Sequence, residues 1–290
     1  MLILSCLSSH AMAQFDKEVF HVKYSISPVM LNGERDALHA VDFNVKFPLK
    51  MKGRSMFGGG IGYESLWTNR GPLIGDLSVQ GISAQFLFNR NFDNGHALLG
   101  FASAGVYSDF KDVSNEDFRY SVGMRYKTKL HEKFTMWYGI AFSKQFFGVL
   151  VAPFIDFHWR ITPRLRMTGP LPLNTQLRYA LRPKVGLTFF LKPDNATYRL
   201  SRKDYESRYF QKKQWNAGCG VEYQLTRHWL VTLRGGYSLK RKFETYEASQ
   251  TGVLSILTFD LQGGKRIPYN QYQENAFLAE AMIAWVLSKD

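Results

Sequence analysis

The residues with the clearest capacity for chemistry are cationic. Arg119, Arg125, Lys127, Arg160, Arg178 and Arg234 all stand on the polar side of segments whose other side is apolar. Guanidinium and ammonium groups gathered on one polar face bind or pass anions, because each offers fixed positive charge and several N–H donors. Asp42, Asp156, Glu222 and Glu280 share that polar phase. Two readings follow: surplus positive charge that selects anions, or charges that pair across an interior and fill it. A second basic group, Arg199, Arg202, Lys203, Arg208, Lys212 and Lys213, falls in Lys192 to Lys213, which reads as a long loop or strand extension. Such groups either bind phosphates at a lipid surface or remain solvated.

The remaining candidates for chemistry are weak. Asp156 and His158 are two residues apart, so one strand face carries both and the carboxylate can orient the imidazole. No serine at matching depth completes a nucleophilic set, so the pair reads as a hydrogen bond and no catalytic residue is expected. His131 and His228 sit in turns, and no cluster has the spacing of metal ligands, so neither a metal nor a cofactor is expected. Gly58-Gly59-Gly60-Ile61-Gly62 lacks the Lys-Ser/Thr of a phosphate loop and suits close backbone packing. Cys6 and Cys219 are the only cysteines, and Cys219 is in phase with Trp215, Ala217, Val221 and Tyr223, as a small apolar wall residue.

Strands must position these side chains. From Phe118 to Phe142 the chain reads as one β-hairpin. Phe118, Tyr120, Val122, Met124, Tyr126, Thr128 and Leu130 form one face of its first arm, with Arg119, Ser121, Gly123, Arg125, Lys127 and Lys129 opposite. His131, Glu132 and Lys133 turn, and Phe134, Met136, Tyr138, Ile140 and Phe142 resume the apolar face, with Trp137 the one large residue opposite. A period of two over this length excludes a helix. Each arm matches a tilted membrane-spanning strand of roughly 9–11 residues.

The same pattern recurs along the 290 residues, with 24 glycines and 15% aromatic residues. No long apolar run marks a transmembrane helix after the N-terminus, but a barrel whose strands are apolar on one face averages out as polar. The net charge of +13 admits nucleic acid, anionic lipid or anionic solutes. The basic residues are dispersed and carry no nucleic-acid motif, which disfavours the first. Residues 1–13 read as a signal peptide cleaved after Ala13, and Cys6 as a lipoprotein cysteine is the lesser alternative. Residues 14–290 then form one domain. Between Leu77 and Arg90 the apolar phase switches near Gly81, which predicts a β-bulge.

Four turns share a pattern of apolar residue, charged or proline-bearing turn, apolar residue: YKTKLHEKFTM, FHWRITPRLRM, LRYALRPKVGL and VEYQLTRHWLV. They fall on one rim if strands alternate in direction, and the longer connections 109–117, 192–213 and 244–275 fall on the other. The count is fourteen antiparallel strands in an up-and-down barrel, or twelve if the short arms around GPLPLN do not span. A soluble β-sandwich also alternates, but its strands are shorter, about 5–6 residues.

These repeated turns resemble those of uncharacterised single-chain outer-membrane β-barrels of Gram-negative bacteria. The resemblance covers Gln14 to Asp290 and departs at the end, WVLSKD, where such barrels often carry a terminal aromatic. It implies an outer-membrane location, short periplasmic turns and longer extracellular loops. It also makes Arg202, Lys203, Arg208, Lys212 and Lys213 candidates for contact with lipopolysaccharide. The expected function is structural or porin-like, with a basic lumen that passes or binds small anionic solutes. A non-conducting barrel that binds lipopolysaccharide or a partner protein is the alternative, and a lipid-modifying enzyme a more distant one.

Overall fold

The computed structural model describes residues 18–31, 34–69, 77–201, 208–262 and 266–287. The expected signal peptide lies outside them. Among the described residues seventeen strands follow in chain order. The first seven are β1 (Glu18–Leu31), β2 (Glu34–Lys52), β3 (Ser55–Thr68), β4 (Ser78–Asn91), β5 (Ala97–Ser108), β6 (Phe118–His131) and β7 (Phe134–Gln145). Next come β8 (Gly148–Arg160), β9 (Leu165–Leu171), β10 (Thr175–Arg182), β11 (Val185–Leu200), β12 (Arg208–Gln224) and β13 (Trp229–Glu247). The last are β14 (Val253–Ile256), β15 (Phe259–Gln262), β16 (Asn270–Gln273) and β17 (Ala276–Val286).

Strands β1 to β13 pair in sequence, β13 pairs with β17, and β17 returns to β1, which closes an antiparallel barrel of 14 strands. Closure gives every strand of the ring a neighbour on both sides, as a sheet in hydrocarbon requires, with a notch only above the short β9 and β10. The short arms around GPLPLN are β9 and β10, and both belong to the wall. The four similar turns lie on one rim, called here the short-turn rim. The opposite rim carries the connections 109–117 and 248–275, among others, but also the two-residue turn Phe146-Phe147.

Alternation sorts the side chains as expected. Phe118, Tyr120, Val122, Met124, Tyr126 and Leu130 are exposed on the outside of β6, each by more than 40%. Ile61, Ile82, Phe86, Phe142, Phe189, Val221 and Leu233 extend this apolar exterior around the barrel. Exposed apolar surface on this scale is unfavourable in water and favourable against lipid. Cys219 is a free, exposed thiol on the outer face.

The predicted bulge at Gly81 does not form. Register runs unbroken through Gly81 to Glu64 on β3 and to Tyr107 on β5. The glycine instead makes room for a ring, because a Cβ there would lie 2.3 Å from Tyr107 Cδ1. The apparent change of phase has another cause: Ile82 and Phe86 face outward, whereas Leu77 and Val79 are buried inside. The interior itself becomes apolar near this rim.

Candidate functional site: a plugged lumen

The inward apolar residues belong to a plug. Val29, Leu38, Leu66 and Val79 of the first four strands, with Leu77 just before β4, lie near the rim opposite the short turns, and they pack against Tyr198, Leu200, Phe210 and Phe243 of β11, β12 and β13. These three strands run 16, 17 and 19 residues, so their ends outreach the wall. The tip of β11 bends inward until Arg199 pairs in parallel with Ser108 of β5. Lys192 to Lys213, read as a long loop or strand extension, is the extension: an ordered hairpin folded into the mouth, apart from residues 202–207, which lie outside the described residues. Its backbone stays paired there, β11 to β12 as far as Leu200 and Arg208.

The far side of the β11 tip is polar and pinned. Arg199 reaches Asp117 at 3.1 Å and Glu116 at 3.2 Å, and donates to the Asp112 carbonyl oxygen at 3.1 Å. These partners come from the acidic connection between β5 and β6. Arg119 donates to Thr197 at 3.2 Å and to Gln145 at 2.7 Å. Its guanidinium carbon lies 3.4 Å from the centroid of the Tyr107 ring. Tyr198, on the other face of β11, donates to Glu64 at 2.7 Å, and Glu64 lies 3.9 Å from Arg119. A buried arginine needs such partners, since a charge without them carries a large desolvation cost.

A second piece of chain completes the mouth. Strands β9 and β10 are short, 7 and 8 residues, and their pairing stops at Ile155 on β8 and Leu191 on β11. Strand β14 fills part of the notch by pairing in parallel with Gly148 to Val151 of β8. Its partner β15 carries Asp260, which meets Lys213 at 2.9 Å and Arg266 at 2.8 Å and accepts from Ser255 at 2.6 Å. Trp215 donates to Thr258 at 3.0 Å. Burial pushes the Asp260 carboxyl up, but hydrogen bonds from Ser255, Lys213 and Arg266 outweigh it and hold it below the usual carboxylate range.

Beneath the plug lies a cavity of about 260 Å³, bounded by Leu38, Leu66 and Tyr198 on the plug side. Its charged lining is balanced: Lys23, Lys192, Lys212 and Arg234 face Asp42, Glu64, Asp194 and Glu280, and His21 faces Glu18. Lys23 lies 3.5 Å from Asp42, Lys212 2.7 Å from Asp194 and Arg234 3.7 Å from Glu280.

The six basic residues expected in the lumen therefore divide. Arg125 pairs with Asp156, Arg178 with Glu222 at 2.5 Å, Arg234 with Glu280, and Arg119 is built into the plug. Lys127 lies 5.6 Å from the Trp137 ring centroid and Arg160 is exposed at the short-turn rim; neither has an ion-pair partner among the described residues. Pairing, the second reading of these charges, describes four of the six. Of the outer basic group, Arg202 and Lys203 lie outside the described residues. Lys212 and Lys213 are not on an outward loop: both sit on β12 with inward side chains, paired to Asp194 and Asp260. Arg208 packs its guanidinium 3.7 Å from the Tyr269 ring centroid.

Reasoning from sequence missed the plug residues Tyr198, Phe210 and Phe243, as well as Arg241. Arg241 is fully buried and donates to Ser27, to the Pro28 and Glu274 carbonyl oxygens and to Tyr272. The signal that could have found the plug was apolar residues in the polar phase, at Val29, Leu38, Leu66 and Val79, all near the same rim.

Residues 73–254 match the model of a family described as Domain of unknown function (DUF6268). The chain belongs to this family. The matched stretch takes in β4 to β13, and with them every plug strand from the second half of the barrel. No curated protein matches the chain in sequence. Among solved structures, it is similar to the COG4313 outer membrane channel from Pseudomonas putida F1, at 10% identity and a TM-score of 0.49, over 94% of this chain and 98% of that one. It is also similar to the KdgM porin in complex with disordered oligogalacturonate, at 7% identity and a TM-score of 0.37, over 92% and 99% of the two chains. The translocator domain of the autotransporter NalP from Neisseria meningitidis gives 8% identity and a TM-score of 0.37, over 96% and 92%. At these identities the likeness concerns the fold alone.

Proposed function

We infer that the chain is an outer-membrane barrel that admits small polar solutes, with a preference for anions, and that this conformation is its closed state. The observation that carries the reading is the plug. An apolar cluster from both sides of the barrel seals one mouth, and a polar cavity lies directly beneath it. A wall built only for rigidity has no use for a hairpin tip that crosses the lumen and is held by side-chain contacts on each face. Such a tip is bistable: it docks through Phe210 and Phe243 on one side and Arg199 on the other, and its release opens the path. The apolar exterior supports the membrane location. With mid-lumen charges paired, any anion preference falls to cations without a carboxylate, Lys127 and Arg160 among them. Contact with lipopolysaccharide, if made by this basic group, would fall to Arg208 and the neighbouring residues 202 and 203.

The test is single-channel recording in a planar bilayer. Phe210→Ala removes a fully buried ring, which costs about 3–5 kcal/mol in a packed core. Arg199→Ala removes the polar pin. The native chain should show small, infrequent openings, and the double variant large, sustained ones with a reversal potential favouring anions. A double variant that keeps its heat-modifiable gel mobility yet stays silent would sink the gated-channel reading in favour of a structural barrel.

A further inference from the structure

We propose that the short-turn mouth holds a binding site for a phosphate-class oxyanion, built from Arg160, Arg166 and Lys133 beside Arg178. The proposal deepens the anion part of the functional reading, but it concerns binding and holds whether or not the barrel conducts. Register places the three arginines in one row across adjacent strands: Arg160 of β8 opposite Arg166 of β9, and Arg166 opposite Arg178 of β10. All three take the inward phase, since Trp159 and Tyr179 beside them are exposed on the outside. Side chains directly opposite in an antiparallel pair stand about 4.5–5.5 Å apart, and like charges so placed repel. Among the described residues the carboxylate paired with the row is Glu222, engaged by Arg178 at 2.5 Å. Arg160 and Arg166 have no ion-pair partner among the described residues.

Next to this row is an open cavity of about 500 Å³ lined by Lys133, Arg160, Ile161, Thr162, Pro163 and Arg166. Its three charged residues are all cations. A tetrahedral oxyanion seated there takes N–H donors from two guanidinium forks and one ammonium, and it offsets the repulsion that the sheet register imposes. Arginine suits this geometry better than lysine because its planar fork engages two oxygens at once. Elsewhere on the lumen wall Lys23, Arg125, Arg234, Lys212 and Lys213 each meet a carboxylate; in this row arginines stand directly opposite one another.

The ligand chemistry has two sources, a soluble phosphate compound or the headgroup of an anionic phospholipid. Calorimetric titration of the purified barrel in neutral detergent, with pyrophosphate as the probe, measures the site. Saturable binding is expected, weakened at least tenfold by Arg166→Gln and unchanged by Lys50→Gln, an exposed lysine on β2 with an aromatic cross-strand partner. Thermal melting gives a readout that a structural arginine would not move. Pyrophosphate should raise the midpoint of the native chain and leave that of Arg166→Gln in place, while without ligand the variant should be no less stable than the native chain. Repeating the titration in nanodiscs separates the sources. Binding that persists in discs containing phosphatidylglycerol points to a soluble ligand; binding seen in phosphatidylcholine discs but abolished by phosphatidylglycerol points to the lipid. Absence of saturable binding in detergent, or equal weakening by Arg166→Gln and Lys50→Gln, overturns the site.

Discussion

The β6–β7 hairpin and the far ends of β11 and β12 are both two-stranded, antiparallel and alternating, yet they bury opposite things. In β6 the apolar phase faces outward and the inner phase carries Arg119, Arg125 and Lys127. At the β11 tip both phases are inside: Tyr198 and Leu200 join the apolar cluster, while Thr197 and Arg199 meet polar groups on the other side. A wall strand needs one solvent of each kind, lipid outside and polar groups inside. A strand that leaves the wall and crosses the lumen has lipid on neither face and can bury apolar and polar sets together. The first arrangement gives global stability, since it is tied into the closed ring. The second stays paired through β12 to β13, but its docking across the lumen rests on side chains and one short bridge to β5, and that docking can be undone locally.

Arg125→Ala should produce the largest loss and shows what the wall contributes. Asp156 is 2% exposed and pairs with Arg125, whose guanidinium lies 4.6 Å from the Trp137 ring centroid. Removing one partner of a buried pair costs about 3–5 kcal/mol, because the other charge loses its compensation. Refolding into vesicles monitored against urea should show a destabilisation of that order. Adding Asp156→Asn should recover much of it, and a failure to recover would mean that Arg125 acts through the ring contact instead. Pins of the plug such as Arg199 should leave this global midpoint nearly unmoved.

A charge on the outer face comes next. Val122 is 53% exposed on β6 and its neighbours in phase are Tyr120 and Met124. An arginine at the bilayer midplane of a barrel costs about 2–4 kcal/mol and close to 0–1 kcal/mol near an interface. Val122→Arg should therefore destabilise far more than Leu130→Arg, one residue from the turn, in the same urea titration. Equal costs would place the membrane elsewhere on the wall, and the contrast between wall and plug would have to be redrawn.

How much of this could be read from the chain follows the same division. The wall was legible because lipid imposes a strict period of two, so Phe118 to Phe142 and its repeats identified strands, faces and the count of fourteen. The plug was not, because burying both faces erases the alternation that marks a strand. Lys192 to Lys213 reads as a basic loop or a strand extension, since Lys212 and Lys213 carry charge and their acids, Asp194 and Asp260, are not recognisable as partners; the structure makes it the extension. Asp260 is 47 residues away from Lys213 in the chain. The switch at Gly81 was a true signal wrongly attributed: Leu77 and Val79 announce the apolar interior. The arginine row was visible only in part, as Arg160 and Arg178, because the register that sets Arg166 between them is not written in any one strand.

Asp260 gives the smallest effect and tests whether the mouth opens piecewise. It lies on β15, in the insertion between β13 and β17 and outside the ring of spanning strands. Its carboxyl is held below the ordinary range, so its contribution is complete above the ordinary aspartate pKa of about 4 and is lost as pH falls through the depressed value. The carboxyl is partly exposed, which limits the effect through solvent screening. Acidification from neutral pH to well below the ordinary aspartate pKa of about 4 should loosen the β14–β15 hairpin from Lys213 and Arg266 while the barrel stays closed. Hydrogen exchange followed by mass spectrometry should then show faster exchange over Val253 to Asp260 and unchanged protection over Tyr120 to Phe142. Asp260→Asn should give the fast exchange already at neutral pH and remove its pH dependence. If both segments lose protection together, the insertion is part of the cooperative wall, and the distinction between a fixed ring and a locally releasable mouth fails at this point.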